Sequence, residues 1–146
     1  MSDQQVVACP ACGARNRVNF SKPGVTPVCG RCGKPLAAPS HPVIVTDANF
    51  ASEVERSPVP VLLDLWAPWC GPCRMLAPVL EELAGEMTGR VRIAKLNVDE
   101  NPITSGRFNV RSIPTMLVMQ NGREVDRLVG LMPKPEIKQR LERFAK

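Results

Sequence analysis

The sequence predicts an α/β protein, a sheet with helices on both faces, preceded by a small cysteine-rich unit with its own chemistry. Three observations carry this. From Val43 onward, apolar strand-like runs alternate with helical patterns in the order β-α-β-α-β-α-β-β-α. Before Val43 stand four of the six cysteines, spaced Cys-x2-Cys, sixteen residues, Cys-x2-Cys. Between them, a Pro- and Ala-rich stretch reads as an extended connector. The expected organisation is therefore a metal-binding unit at 1–36, a linker at 37–42 and an α/β domain at 43–146.

Each N-terminal pair is followed by glycine, Gly13 after Cys9 and Cys12, and Gly33 after Cys29 and Cys32. Two residues between cysteines let a tight turn aim both sulfurs at one ion, and glycine lets backbone N–H groups face those sulfurs. Two such turns complete a tetrahedron, so Cys9, Cys12, Cys29 and Cys32 are the candidate ligands of one structural zinc ion. The segment resembles a zinc ribbon, with strands expected at residues 15–20 and just before Cys29. Its apolar residues, among them Val7, Val18 and Phe20, are too few for a stable core, so ligation has to supply most of the folding free energy. Two disulfides or four unligated thiols are the alternatives. The start MSDQQVVACPACG has no signal-peptide pattern, which sets the expectation of a reducing cytoplasm and favours the metal.

The net charge is +5, and Arg15, Arg17, Lys22, Arg31 and Lys34 face only Asp3 before the connector. Scattered charges with one aromatic, Phe20, fit a solvated surface better than a nucleic-acid site. His41, the single histidine, lies in the connector and is read as incidental.

Residues 43–45, Val-Ile-Val, read as a short strand. Thr46 or Asp47 can cap a helix carrying Phe50 and Val54 on one face and ending before Ser57-Pro58. Residues 59–67 form a nearly unbroken apolar run, as in a strand buried on both faces, interrupted by Asp64. Residues 70–87 are helical in pattern, with Met75, Leu76, Val79, Leu80 and Leu83 on one face and Pro78 as a source of a kink. The strand at 91–98 contains Lys95, and 101–108 reads as a short helix or turn. Ser112-Ile113-Pro114-Thr115 leads into a strand at 116–119, Asn121-Gly122 signals a hairpin, and 124–129 returns to Gly130. Residues 135–144 close the chain as an amphipathic helix with Ile137, Leu141 and Phe144 inward. No apolar run reaches the roughly 20 residues a membrane span needs, so no membrane partner is expected.

The third pair, Cys70 and Cys73, falls where a strand gives way to a helix, and that placement has chemical consequences. A cysteine at a helix start has its thiolate stabilised by the dipole and the free N–H groups, which lowers its pKa. A cysteine three residues on shares the turn and can reach it, which suits attack on a disulfide by Cys70 and resolution by Cys73. Pro72 costs no helix bond there and stiffens the link. Asp64, a carboxylate in an apolar strand, should be buried with a raised pKa, able to exchange a proton with Cys73. A purely structural pairing with Lys95 is the other reading of Asp64.

Trp66-Ala67-Pro68-Trp69-Cys70-Gly71-Pro72-Cys73, followed in order by Lys95 to Asp99, Ile113-Pro114-Thr115, Asn121-Gly122 and Val129-Gly130, resembles the thioredoxin family. With the four-cysteine segment, the whole chain is similar to the zinc-containing bacterial members. The resemblance implies a thioredoxin fold, a central mixed sheet flanked by helices, and protein-disulfide reductase activity. It implies Cys70 as the attacking thiol, Cys73 as the resolving thiol, Asp64 as a buried base, Lys95 as its electrostatic neighbour and Pro114 as a cis-proline facing the cysteines. Trp69, Gly71, Pro72, Ile113 and Gly130 would form a flat apolar rim for a substrate strand. The implied partners are disulfide-containing proteins and NADPH-dependent thioredoxin reductase, with the chain acting as a monomer and binding no organic cofactor. A thiol oxidase or isomerase shares the fold. A zinc-dependent redox sensor, whose ribbon binds a partner and whose oxidation expels the metal, is the reading from another functional class.

Overall fold

A computed structural model describes residues 4–9, 12–19, 28–33 and 40–145. The chain divides into two compact units, Met1–Ala38 and Pro39–Lys146. In the first, β1 (Gln4–Ala8) and β2 (Arg15–Asn19) pair antiparallel, with Val6 opposite Arg17 and Ala8 opposite Arg15. The strand that pairs with β2 thus lies before Cys9. Local pattern does not reveal it, because QQVVA is short and polar at one end, and only the closing of the first cysteine turn brings it alongside β2. Of the strand expected before Cys29, only Val28 is described, as a single bridge residue. Phe20 and the first half of the expected linker lie outside the described residues. Among the described residues of this unit Cys9, Val18 and Cys29 are buried, with Val7, Cys12 and Ala14 against them.

The second unit contains β3 (Val43–Val45), a π-helical turn (Ala51–Glu55), β4 (Val61–Trp66), α1 (Gly71–Glu86), β5 (Arg92–Asn97), α2 (Pro102–Arg107), β6 (Thr115–Gln120), β7 (Arg123–Val129) and α3 (Lys134–Glu142). The strands form one sheet in the order β3-β5-β4-β6-β7. β4 lies parallel to β5 and antiparallel to β6, and β5 is also parallel to β3. The sheet is mixed, as a thioredoxin fold requires. β6 and β7 turn back through Asn121 and Gly122, whose φ values of 53° and 78° give the left-handed turn that the Asn-Gly pair favours.

β4 is the central strand, and Val61, Leu62, Leu63, Asp64 and Leu65 are all fully buried. Its alternation feeds two cores. Leu62 packs with Leu76, Leu80 and Leu83 of α1 and Ile137 and Leu141 of α3, whereas Met75, expected on that face, is exposed because it lies about 100° round the helix from Leu76. Val61, Leu63 and Leu65 pack on the other face with Phe50, Val54 and Phe108. Helices cover both faces, which is what the continuous apolar run of β4 demands.

The expected helix after β3 is a π-helical turn instead. No side chain caps this turn, and of the two expected caps Thr46 does bond locally, accepting the Asn49 N–H at 3.2 Å. Asp47 does not: its carboxylate accepts the backbone N–H groups of Ile103 and Thr104 and the Thr104 hydroxyl, the last at 2.7 Å. The side chain therefore caps α2, reaching Thr104 57 residues downstream, because the fold brings an orphan helix terminus to it.

Candidate active site

Cys70 is the N-cap of α1, with extended backbone at φ −87° and ψ 112°. Its Sγ accepts the backbone N–H of Cys73 at 3.2 Å, so a donor left unpaired by the helix start faces sulfur. Gly71 and Pro72 fill the first two helical positions, where proline forfeits no helix bond. Cys70 and Cys73 are joined as a disulfide with Cα atoms 5.3 Å apart, a separation the three-residue helical offset supplies. Both are buried, at 5% and 2% exposure.

Beside the sulfurs runs the Ile113–Pro114 peptide, which is cis. The Ile113 carbonyl oxygen lies 3.8 Å from Cys70 Sγ. The Pro114 carbonyl accepts the N–H of Gly130 at 2.8 Å, and Gly130 has φ +89°, a conformation that favours glycine. Trp69 stands 71% exposed next to Cys70, and its Nε1–H donates to Asp99 Oδ2 at 2.9 Å. Trp69, Val98, Val110, Arg111 and Ile113 line an open groove along this rim.

Asp64 shares its face of β4 with Leu62, so it points into the layer under α1, where Cys73 is also buried. Its carboxylate oxygens have no hydrogen-bond partner among the described residues. Burial pushes its carboxyl up to about 7, against the opposing field of Lys95. Lys95 is the register neighbour of Asp64 on β5, yet its Nζ lies 4.6 Å from the centre of the Trp66 ring rather than in an ion pair with Asp64.

In the first unit the four cysteine sulfurs all lie within 4.8 Å of one another. Cys9 and Cys32 are 3.5 Å apart and Cys12 and Cys29 3.7 Å. Metal–sulfur bonds of about 2.3 Å in a tetrahedron set sulfur–sulfur edges of about 3.8 Å, so the cluster has the size of a zinc shell. The turns repeat: the N–H of Gly13 bonds the Cys9 carbonyl and that of Gly33 the Cys29 carbonyl, both at 2.8 Å and both with φ near +80°. The Cys32 backbone N–H, with further help from Arg31 and Asn16, holds the Cys29 thiol down to about 6 despite its burial. The donor set fits a cation that prefers thiolates.

The Thioredoxin family profile matches residues 41–143. The chain belongs to the thioredoxin family. Thioredoxin C-3 of Corynebacterium nephridii is 42% identical over 137 residues, 94% of this chain and 93% of that protein, so it is matched through the cysteine-rich unit as well. Thioredoxin 1 of Nostoc sp. strain PCC 7120 is 50% identical over 99 residues, 68% of this chain and 92% of its own. The solved structure of a single-residue mutant of a thioredoxin from Halobacterium salinarum NRC-1 superposes with a TM-score of 0.70 at 34% identity, covering 75% of this chain and 96% of that one. With its dithiol, this thioredoxin-family chain is a thiol–disulfide oxidoreductase.

The thioredoxin unit brings Cys70, Cys73, Ile113 and Pro114 together and places Gly130 behind Pro114 through one hydrogen bond. It does not link Asp64 to Cys73 by any direct hydrogen bond among the described residues. Sequence reasoning assigns Asp99 no role, although it holds the Trp69 indole, and assigns Trp66 none beyond its place in the motif. Both partners sit across the sheet end in separate segments, which spacing within one segment does not show. Among the described residues no helix is long and apolar enough to cross a membrane.

Proposed function

We propose that the chain is a cytoplasmic protein-disulfide reductase carrying one structural zinc ion. The carrying observation is the N-cap position of Cys70, whose sulfur receives the Cys73 N–H. In the dithiol form this contact and the helix dipole favour the Cys70 thiolate. Cys70 attacks a substrate disulfide, forming a mixed disulfide and releasing one substrate thiolate. Cys73 then loses its proton toward Asp64 and attacks Cys70 Sγ. That closes the Cys70–Cys73 disulfide and frees the second substrate thiol, so two electrons leave the dithiol.

Trp69, Gly71, Pro72, Ile113 and Gly130 form the rim against which the substrate strand lies, and Pro114 sets the Ile113 carbonyl beside Cys70. Lys95 tunes Asp64. Thioredoxin reductase, drawing on NADPH, restores the dithiol. A reduction potential near the about −180 mV of isomerases, rather than the about −270 mV general to thioredoxins, would overturn the reductase direction.

Zinc held by Cys9, Cys12, Cys29 and Cys32 supplies a cross-link between the two cysteine turns of a unit at 1–36, joined by a linker at 37–42 to the catalytic domain at 43–146. Paired variants test the division of labour. Cys70→Ser is expected to abolish disulfide reduction and keep one zinc per chain, and Cys9→Ser to lose zinc and keep reduction. Loss of zinc in Cys70→Ser sinks the proposal and favours the sensor reading.

A further inference from the structure

We propose that Trp66 is a positioning residue, holding the Lys95 ammonium over its indole and away from Asp64 so that the carboxylate stays free to take a proton from the dithiol. This rests on the reading of Asp64 as the proton acceptor. The geometry that carries it is a pair that could form and does not. Asp64 and Lys95 are register neighbours on parallel strands, so their side chains leave the same face of the sheet. Asp64 is fully buried, and both its oxygens are without a hydrogen-bond partner among the described residues. An ammonium within reach of such a carboxylate would ordinarily be drawn into contact. Lys95 Nζ instead sits 4.6 Å from the Trp66 ring centre, where the negative face of the indole attracts it. Trp66 follows Asp64 by two residues on β4 and so shares its face.

The groups facing Asp64 are few. From β5 comes Lys95, the single charge whose field reaches it. The buried face of α1 carries Cys73 and the apolar Leu76 and Leu80 on the same side of the sheet, and β6 places Met116 in register with Asp64. Among the described residues no second cation is placed to replace Lys95 or to neutralise Asp64. Full contact with Lys95 would leave Asp64 a poor base, and removal of Lys95 would leave it with desolvation unopposed. The indole holds the pair between these limits.

The test is the titration of Asp64 followed by carboxyl carbon NMR in the oxidised full chain, with the pH dependence of disulfide reduction beside it. In Trp66→Leu, Lys95 is released, and the proton affinity of Asp64 is expected to fall at least about tenfold, the low end of what an opposite charge within about 4–6 Å does. Trp66→Phe keeps a ring face and is expected to stay near the parent. Water entering the space left by the indole would also lower the proton affinity, so Trp66→Leu/Lys95→Met separates the causes. The double variant recovers the high proton affinity if Lys95 is responsible and stays low if water is. An unchanged titration in Trp66→Leu, or a low one in the double variant, overturns the proposal. Asp64→Asn reports separately: if it leaves the pH–rate profile of reduction unchanged, the proton-acceptor reading fails whatever the Trp66 variants do. Should Trp66→Leu not fold, Trp66→Met with the same double variant provides the same comparison.

Discussion

At Asp64, burial has a sign that can be read in stability. An ordinary aspartate loses its proton near about 4 in the unfolded chain. In the folded chain burial raises the carboxyl to about 7. Between these values the folded state holds a proton that the unfolded state has lost, so stability falls as pH rises from about 4 to about 7 and then levels. The full difference corresponds to at most about 4 kcal/mol. Asp64→Asn removes the titration and adds only a pH-independent cost for its buried amide. Its stability relative to the parent is therefore expected to improve by up to about 4 kcal/mol between pH 4 and pH 8. Urea unfolding of the oxidised proteins at both values measures this, and a difference that does not change with pH would show that Asp64 is not desolvated.

Among the elements, those defined by local pattern are legible in the sequence and those defined by a distant partner are not. The unbroken apolar run marks β4, Asn121-Gly122 marks the turn between β6 and β7, and Cys70 to Cys73 marks the start of α1, because each signal lies within a few residues. The ordinary local rule makes Asp47 a cap of the helix that follows it. Its actual partners, Ile103 and Thr104, could not be found by any rule of spacing. The same holds at the site: the cysteines are readable from their motif, while Lys95 over Trp66 requires knowing that β4 and β5 are neighbours in register. Asp47→Ala is expected to expose the Ile103 and Thr104 amides to faster hydrogen exchange, with the other amides of α2 following. Exchange at Leu62 and Leu63 should not change, since β4 is held by its own ladder on both sides. Unaltered exchange at Thr104 would mean that the cap contributes nothing to α2.

The whole molecule combines two solutions to stability. The thioredoxin unit buries two apolar clusters against one sheet, and Cys70, Cys73, Asp64, Lys95 and Pro114 all belong to it. The cysteine-rich unit has only Cys9, Val18 and Cys29 buried among its described residues, and two of those three are metal-ligand candidates. A segment of under about 40 residues does not fold on so little apolar burial, whereas zinc bound by four thiolates supplies about 10–16 kcal/mol. Chelation of the dithiol form is therefore expected to release one zinc ion, to raise the titratable thiols from two to six, and to erase amide protection along β1 and β2. Protection in β4 and β6 and the rate of disulfide reduction should survive, because the four candidate ligands Cys9, Cys12, Cys29 and Cys32 all lie in the other unit. Backbone amide spectra recorded before and after chelation, with metal analysis and a thiol count, test each part. Persistent protection of Val7 and Val18 in metal-free protein would mean that something other than the cysteines holds this unit together. Loss of protection in β4 would mean that the thioredoxin unit does not stand on its own core.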